Sequence, residues 1–273
     1  MRAACPRSHP RRQNLWLTRI LVFLVAVGEV SWQRYPATDA ITPSPRSGHS
    51  ITCHNGKAYV FGGCGVSDDG SKQEIFSETW CCNMQGETPQ WEVIDVMGDV
   101  PPARWRHTAT LLPDQESIFV FGGLSKGKRF NDSYVLSIGS MEWNIKETAG
   151  SAPHPRSHHT ANLITMDPEE GDDLALPKHK IAIVGGFGGP GTSRDYFMDC
   201  HFLELDTWTW GKVPNIRGPQ PKPRSDHCAC LTRGLLIIMG GRGWSTGKTD
   251  PGFYNDVHVL DLKKSEKRAR VHA

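Results

Sequence analysis

The sequence predicts an all-β chain assembled from four copies of one strand-rich repeat, and three observations carry that prediction. An apolar pair followed by two glycines recurs at Val60-Phe61-Gly62-Gly63, Val120-Phe121-Gly122-Gly123, Ile183-Val184-Gly185-Gly186 and Ile238-Met239-Gly240-Gly241. An Arg-x-x-His element precedes each, at Arg46 to His49, Arg104 to His107, Arg156 to His159 and Arg224 to His227. Long helical periodicity is absent, whereas runs such as Tyr134-Val135-Leu136-Ser137-Ile138 and Val257 to Leu262 have the period of two that belongs to half-buried strands.

From the N-terminus, residues 1–19 read as a basic, disordered segment with Arg2, Arg7, Arg11, Arg12 and Arg19. The apolar run Ile20 to Val27 that follows has two readings. Arginines ahead of it and Ala26-Val27-Gly28 behind it fit a secretory signal. Against this, Val25 to Trp32 superposes without gaps on Leu136 to Trp143 and on Leu203 to Trp210, which makes residues 20–27 the third strand of an interrupted repeat and 20–35 half a unit. The strand reading is preferred, and the run is too short to span a bilayer. Full repeats lie near 46–96, 104–147, 156–213 and 224–262. After each glycine pair comes a variable polar stretch and then an aromatic residue two positions before an acid: Phe76 and Glu78, Phe130 and Asp132, Phe197 and Asp199, Tyr254 and Asp256. A strand follows, and then a tryptophan at Trp91, Trp143 and Trp210, with an earlier copy at Trp32. Each tryptophan stands 13 or 14 residues before the next joint arginine, across Pro43 to Pro45, Pro101-Pro102, Pro153 to Pro155 and Pro219 to Pro223. Proline cannot donate to a sheet ladder, so these joints must be turns between sheets. Residues 263–273, with Lys263, Lys264, Lys267, Arg268 and Arg270, read as a solvated basic tail.

Arg-x-x-His, apolar-Gly-Gly, aromatic-x-acid and Trp, in that order and in four copies, resemble the kelch family of β-propellers over roughly residues 30–262. The resemblance implies a propeller of about four to five blades within residues 20–262, each a sheet of four antiparallel strands beside a central channel. The last copy stops before a tryptophan strand of its own. In a closed propeller the strand at Trp32 would complete that sheet, whereas the surplus strand at 20–27 favours an incomplete or truncated one.

Composition narrows the functional classes. A formal net charge of +2, with no basic stripe interleaved with aromatics, argues against nucleic acid. The cysteines, Cys5, Cys53, Cys64, Cys81, Cys82, Cys200, Cys228 and Cys230, form no Cys-x-x-Cys pair, so zinc spacing is missing and buried free thiols in a reducing compartment are expected. Cys81 and Cys82 should point to opposite faces of one strand, and Cys228 and Cys230 to the same face. Some kelch relatives promote chemistry, such as plant specifier proteins with an iron site of the form Glu-x-x-x-Asp-x-x-x-His, but that pattern is missing here, as are Gly-x-Ser-x-Gly and a P-loop. His49, His107, His159 and His227 recur with the repeat and read as structural, as do His154 and His158. The acidic insert Asp167 to Asp173 lacks the ligand spacing of a calcium loop. No catalytic residue, metal or cofactor is therefore expected.

Strands of a blade run alternately up and down, so the joints and the loops between second and third strands should emerge at one end. Those loops, Cys64 to Ile75, Leu124 to Arg129, Phe187 to Tyr196 and Arg242 to Phe253, are the long and variable ones. Lys126, Lys128, Arg129, Arg194, Arg242 and Lys248 outnumber Asp68, Asp69 and Asp195 there, and Trp244 is the one large apolar residue among the glycines and charges of its loop. The expectation is a protein-interaction module, a scaffold or adaptor. Lys128, Arg129, Arg194, Arg242 and Lys248 would attract an acidic or phosphorylated segment of a protein partner, with Trp244 as apolar anchor. A cytoplasmic location goes with that reading. The alternatives are a non-catalytic part or fragment of a kelch-containing enzyme, or a secreted kelch protein should residues 1–28 be a signal peptide.

Overall fold

The computed structural model describes residues 35, 41–67, 70, 72–86, 88–166, 177–190, 194–213, 216–244 and 251–262. The chain divides into two units, residues 1–38 and 39–273, and every described strand belongs to the second. Residues 20–34, the acidic insert 167–173, Lys248 and the tail 263–273 fall outside the described residues. Every regular element described is a strand, and among the described residues no helix is long and apolar enough to cross a membrane.

Blade one holds β1 (Arg46–Ser47), β2 (Ser50–His54), β3 (Lys57–Phe61), β4 (Cys64–Val66), β5 (Gln73–Ile75), β6 (Thr79–Asn83) and β7 (Gln90–Val93). Its main sheet has the order β2-β3-β6-β7, and the short strands pair separately as β1-β4-β5. Blade two comprises β8 (Met97–Gly98), β9 (Thr108–Leu111), β10 (Ser117–Ser125), β11 (Lys128–Ser137) and β12 (Glu142–Ile145), ordered β8-β12-β11-β10-β9. Blade three comprises β13 (Ala149–Gly150), β14 (Arg156–Ser157), β15 (Thr160–Met166), β16 (Lys178–Gly188), β17 (Asp195–Glu204) and β18 (Thr209–Lys212). Blade four holds β19 (Cys228–Thr232), β20 (Leu235–Met239), β21 (Arg242–Trp244), β22 (Pro251–Phe253) and β23 (Val257–Asp261), its main sheet running β19-β20-β23. The expected four antiparallel strands are thus present in blades one to three, and blade four has three among the described residues.

The alternation read from the sequence sets the packing. Tyr59, Phe61 and Cys81 of blade one meet Ile118, Val120, Leu136 and Trp143 of blade two. Phe119 and Phe121, on the opposite face of β10, meet Ile181, Ile183, Leu203 and Trp210 of blade three. Ala182, Val184 and Cys200 then meet Leu236 and Ile238 of blade four. Trp143 is fully buried and Trp210 nearly so, each closing an interface with the preceding blade, whereas Trp91 is only half-buried. Cys81 packs in the first interface and Cys82 faces away from it, as adjacent strand residues must. The thiols depart from expectation in part: Cys64, Cys81, Cys82 and Cys200 are buried, but Cys53, Cys228 and Cys230 are exposed. Cys228 and Cys230 share the face of β19 opposite Ala229 and Leu231, a face no described blade covers.

The glycine pairs are where one blade accepts the next. Gly185 sits at φ 59°, and a Cβ there would lie 2.8 Å from His227 Cε1 and 2.9 Å from the Arg224 carbonyl of blade four. Gly240 has the same left-handed backbone, φ 67°, but among the described residues its Cβ would meet only the Tyr254 carbonyl at 3.5 Å. Gly185→Ala and Gly240→Ala therefore share the backbone penalty of about 1 kcal/mol or more, and only the first adds a clash. We expect Gly185→Ala to melt several degrees below Gly240→Ala in a thermal scan, since about 1 kcal/mol moves Tm by roughly 2–4 °C at this size; equal melting temperatures would show that the interface does not need the bare backbone.

Candidate functional site: the joint end

The four joint arginines do the same thing four times. Arg104 is fully buried, its guanidinium bonded to the carbonyls of Pro102 and Gly122 and forked onto Asp132 at 2.6 and 3.0 Å, and it lies 4.4 Å over the Phe130 ring. Arg156 repeats this with Gly185, Asp199 (2.7 and 2.8 Å) and Phe197, and Arg224 with Gly240, Asp256 (2.6 and 2.9 Å) and Tyr254. Arg46 makes the set with Gly62, Glu78 and Phe76. One guanidinium thus joins the glycine pair, the aromatic and the acid of its own blade. The joint histidines reach the neighbouring blade: His107 bonds Ser50 Oγ at 2.8 Å, His159 bonds Thr108 Oγ1 at 3.0 Å and His227 bonds Thr160 Oγ1 at 3.0 Å.

With the first and fourth residues of each joint fixed, the third is left to face the middle. Gly48, Arg106, His158 and Asp226 all have left-handed backbone, φ 64°, 56°, 58° and 56°, a conformation that costs a non-glycine residue about 1 kcal/mol or more and often marks function. Backbone bonds pass from one to the next, Arg106 N–H to the Gly48 carbonyl at 2.7 Å, His158 to Arg106 at 3.1 Å and Asp226 to His158 at 3.2 Å. Gly48 and His49, Arg106 and His107, His158 and His159, and Asp226 and His227 line a polar cavity of about 300 Å³. Asp226 is its electrostatic centre, accepting from Ser225 Oγ at 2.7 Å with Arg242 at 3.1 Å, Arg106 at 3.5 Å and His158 at 3.9 Å. Burial alone would raise its pKa, but the Ser225 bond and the charges of His158, Arg242 and Arg106 hold it below the usual carboxylate value.

The joints and the long loops do come together at one end, as Arg46 pairs with Gly65, Trp105 bridges Leu124, Arg156 pairs with Gly188 and Ser225 bridges Arg242. The residues expected on that rim divide three ways. Arg129 lies 4.7 Å over the Phe187 ring, Phe187 packs on Tyr196 at 4.8 Å, and Tyr196 meets Trp244 edge-on at 5.4 Å, so a cation and three aromatics run from blade two to blade four. Trp244 is 46% exposed, as an anchor would be. Arg194 is exposed, and after burial it is the like charge of Arg194 that opposes ionisation of Arg129. Arg242, by contrast, is paired to Asp226, a carboxylate from the joint that a count of loop charges does not include. Lys128 is exposed and lies 5.5 Å over Phe130, in its own blade. Sequence reasoning missed Arg106, His158, Asp226, Phe187 and Tyr196. Glycine at the third place of the first joint was the available hint that this place demands a left-handed backbone. Among the described residues no group of three or more His, Cys, Asp or Glu side chains is arranged to hold a metal ion.

Repeated blades clamped by buried arginines and closed by tryptophans define a kelch-type β-propeller. A family model for the Attractin/LZTR1 beta-propeller matches residues 18–268, and the chain belongs to that family. Among curated proteins, the flagellar outer-arm dynein alpha chain of Chlamydomonas reinhardtii is 33% identical over 86% of this chain and 5% of its own length. Human host cell factor 2 is 28% identical over 93% of this chain and 36% of its own, and Drosophila melanogaster host cell factor 29% over 85% and 16%. The chain therefore spans well under half the length of these relatives. The solved structure of YjhT superposes with a TM-score of 0.58 at 16% identity, over 80% of this chain and 69% of that one, which shows the shared fold.

Burial pushes His107 down to about 3 and His158 and His227 to about 4, and holds His159 well below 6.5, with the joint arginines adding to the effect at His107, His159 and His227. The unfolded chain, with histidines near 6.5, binds more protons below that pH than the folded one does. Stability should thus be flat above about pH 7 and fall as pH drops through 6.5 towards 4, with a further loss below about 3.8 as Asp199 and Asp256, held low by their arginines, are protonated. Thermal melts across this range check the sign; a Tm unchanged from about pH 7 to 4.5 would mean that the joint histidines are not neutral in the fold.

Proposed function

We propose that the chain is a protein-interaction module that holds an acidic or phosphorylated segment of a protein partner on the rim of its joint end. One observation carries the reading: Arg129 Nε is buried with no hydrogen-bond partner among the described residues, beside the like charge of Arg194. A buried unsatisfied guanidinium N–H is costly, and a carboxylate or phosphate accepting from the fork would both satisfy it and neutralise the pair. Trp244 and the half-buried Phe187, joined through the buried Tyr196, offer apolar surface next to it for the rest of the segment. The rigid clamped blades support the same reading, since variable loops on a repeated frame are the usual place for recognition. No reaction is assigned, because the joint histidines are committed to hydrogen bonds between blades and the acids to arginines. The described cysteines are all free, which fits a reducing cytoplasm.

The test is a panel of acidic and phosphorylated peptides measured by fluorescence anisotropy at low and high salt. Binding should weaken as salt rises and fall about tenfold in Arg194→Glu. Trp244→Ala should cost more than Arg194→Gln, and Arg129→Lys should lose affinity while keeping the charge, because a lysine lacks the planar fork. Peptide binding that ignores salt and the substitutions at all three rim positions would sink the reading.

A further inference from the structure

The arginine of joint one is held differently from the other three. Arg104, Arg156 and Arg224 each place both terminal nitrogens on an aspartate. Arg46 meets its acid once, through Nη2 and Glu78 Oε2 at 2.9 Å, while its Nη1 donates to the Gly62 carbonyl at 3.1 Å. That single carboxylate oxygen also accepts the Trp80 indole N–H at 2.6 Å. The second acceptor at Arg46 Nη2 is the Ser44 hydroxyl, at 3.2 Å, and the Ser44 carbonyl takes Nε at 3.1 Å. In the other joints the residue two before the arginine is Pro102, His154 or Lys222, and its carbonyl makes the contact to Nε. A hydroxyl against the buried guanidinium is therefore peculiar to joint one. The chain around it reads Thr42-Pro43-Ser44-Pro45-Arg46. Residues 41–44 belong to no strand, Ile41 is 68% exposed, Pro45 is exposed and Ser44 is half-buried. Each proline fixes its own φ at about −65° and pushes the residue before it into extended backbone, so Ser44 is displayed on a preformed extended segment with no ladder to break.

We propose that Ser44 is a phosphorylation site for a proline-directed protein kinase, and that its phosphate takes the Arg46 guanidinium over from Glu78. The kinase is one whose groove accepts an extended segment and makes no use of the N–H after the acceptor residue, because Pro45 has none. In the transfer Ser44 Oγ attacks the γ-phosphorus of ATP. The Oγ–P bond forms as the bond to the bridging oxygen breaks, ADP leaves, and the hydroxyl proton passes to the kinase's base. The product carries about −1.5 to −2 charges and three acceptor oxygens, on an atom that already stands 3.2 Å from Nη2. Its oxygens serve Nη2 and the half-used Nη1 together, as the aspartates do in the other blades. Glu78 is then left beside a like charge; its side chain is 42% exposed, so it turns to solvent, and Trp80 loses its indole partner. The clamp of blade one thus changes from an acid 32 residues along the chain to a phosphate two residues away. The charge of Arg46 stays satisfied, but its tie to the strand that follows Glu78, β6, is released. The cytoplasmic placement proposed above supplies the ATP. No atom of this site belongs to the rim of Arg129, Arg194 and Trp244, so either reading can fail without the other.

The test incubates the folded full chain with a purified cyclin-dependent kinase, ATP and Mg²⁺, and locates the phosphate by fragmentation mass spectrometry. We expect one phosphoryl group on Ser44, lost in Ser44→Ala and in Pro45→Ala and kept in Thr42→Val. Phosphorus NMR then follows the phosphate through its second ionisation. Beside a guanidinium the dianion is favoured, so the folded chain should titrate about half a unit or more below the same chain in urea, where the value is about 6. This comparison uses the wild-type chain alone and does not depend on how any variant folds. In thermal scans Glu78→Gln should lower the Tm of the unmodified chain by several degrees and leave that of the phosphorylated chain nearly unchanged, because the acid no longer holds Arg46. Transfer to Thr42 in place of Ser44, no transfer to the folded chain, a phosphate that titrates alike folded and unfolded, or a Glu78→Gln penalty unaltered by phosphorylation overturns the proposal.

Discussion

Arg104, Arg156 and Arg224 are cations with no exposure at all, set among β-sheets. An unpaired charge there would cost several kcal/mol or more, so the fold around each is dictated by what must meet it. A carboxylate forks onto two of its nitrogens, the first glycine carbonyl takes another bond, a carbonyl two residues upstream takes Nε, and an aromatic ring covers the guanidinium face. The carboxylate lies 28 to 43 residues further along the chain from its arginine in blades two to four, so satisfying the charge folds the second and third strands back onto the joint. Lysine could not substitute, because it has neither the fork nor the flat face. The glycine pair, the aromatic and the acid recur together because one buried group needs all of them.

The clamp also separates frame from site. It fixes the joint's first residue, and the histidine three places on ties the joint to the blade before it. The residue between them that is thrown into left-handed backbone is thereby held firmly and left chemically unconstrained: glycine, arginine, histidine and aspartate occupy it in turn. The same clamp brings the second-to-third-strand loop against the joint, so Arg129, Phe187 and Trp244, drawn from three blades, are linked through the buried Tyr196. Variation at those places changes the surface without touching the charge network that holds the blades.

Much of the fold was legible in the sequence because the clamp writes a fixed pattern four times. The joints and loops could be placed at one end from strand alternation alone, and Trp143 and Trp210 could be recognised as repeat residues from their constant distance to the next joint arginine. The site was less legible. The pairing of Arg242 could not be read, because its partner, Asp226, comes from a joint 16 residues away, and a pairing across a tip is not encoded in local periodicity. Phe187 and Tyr196 looked like ordinary loop residues because their contacts with Arg129 of blade two and Trp244 of blade four join different blades. The glycine at position 48 was the single local sign that the third joint residue is special, and it can be understood only beside Arg106, His158 and Asp226.

The clamp itself is tested most directly by a double-mutant cycle on Arg156 and Asp199, using Arg156→Met, Asp199→Asn and the double variant in denaturant unfolding. A bidentate, buried pair on which the rest of the blade depends predicts strong coupling, about 1–3 kcal/mol of non-additivity, with each single variant costing nearly as much as the two together. Costs that simply add, within about 0.5 kcal/mol, would contradict it and would mean that the blades are held by their apolar interfaces alone.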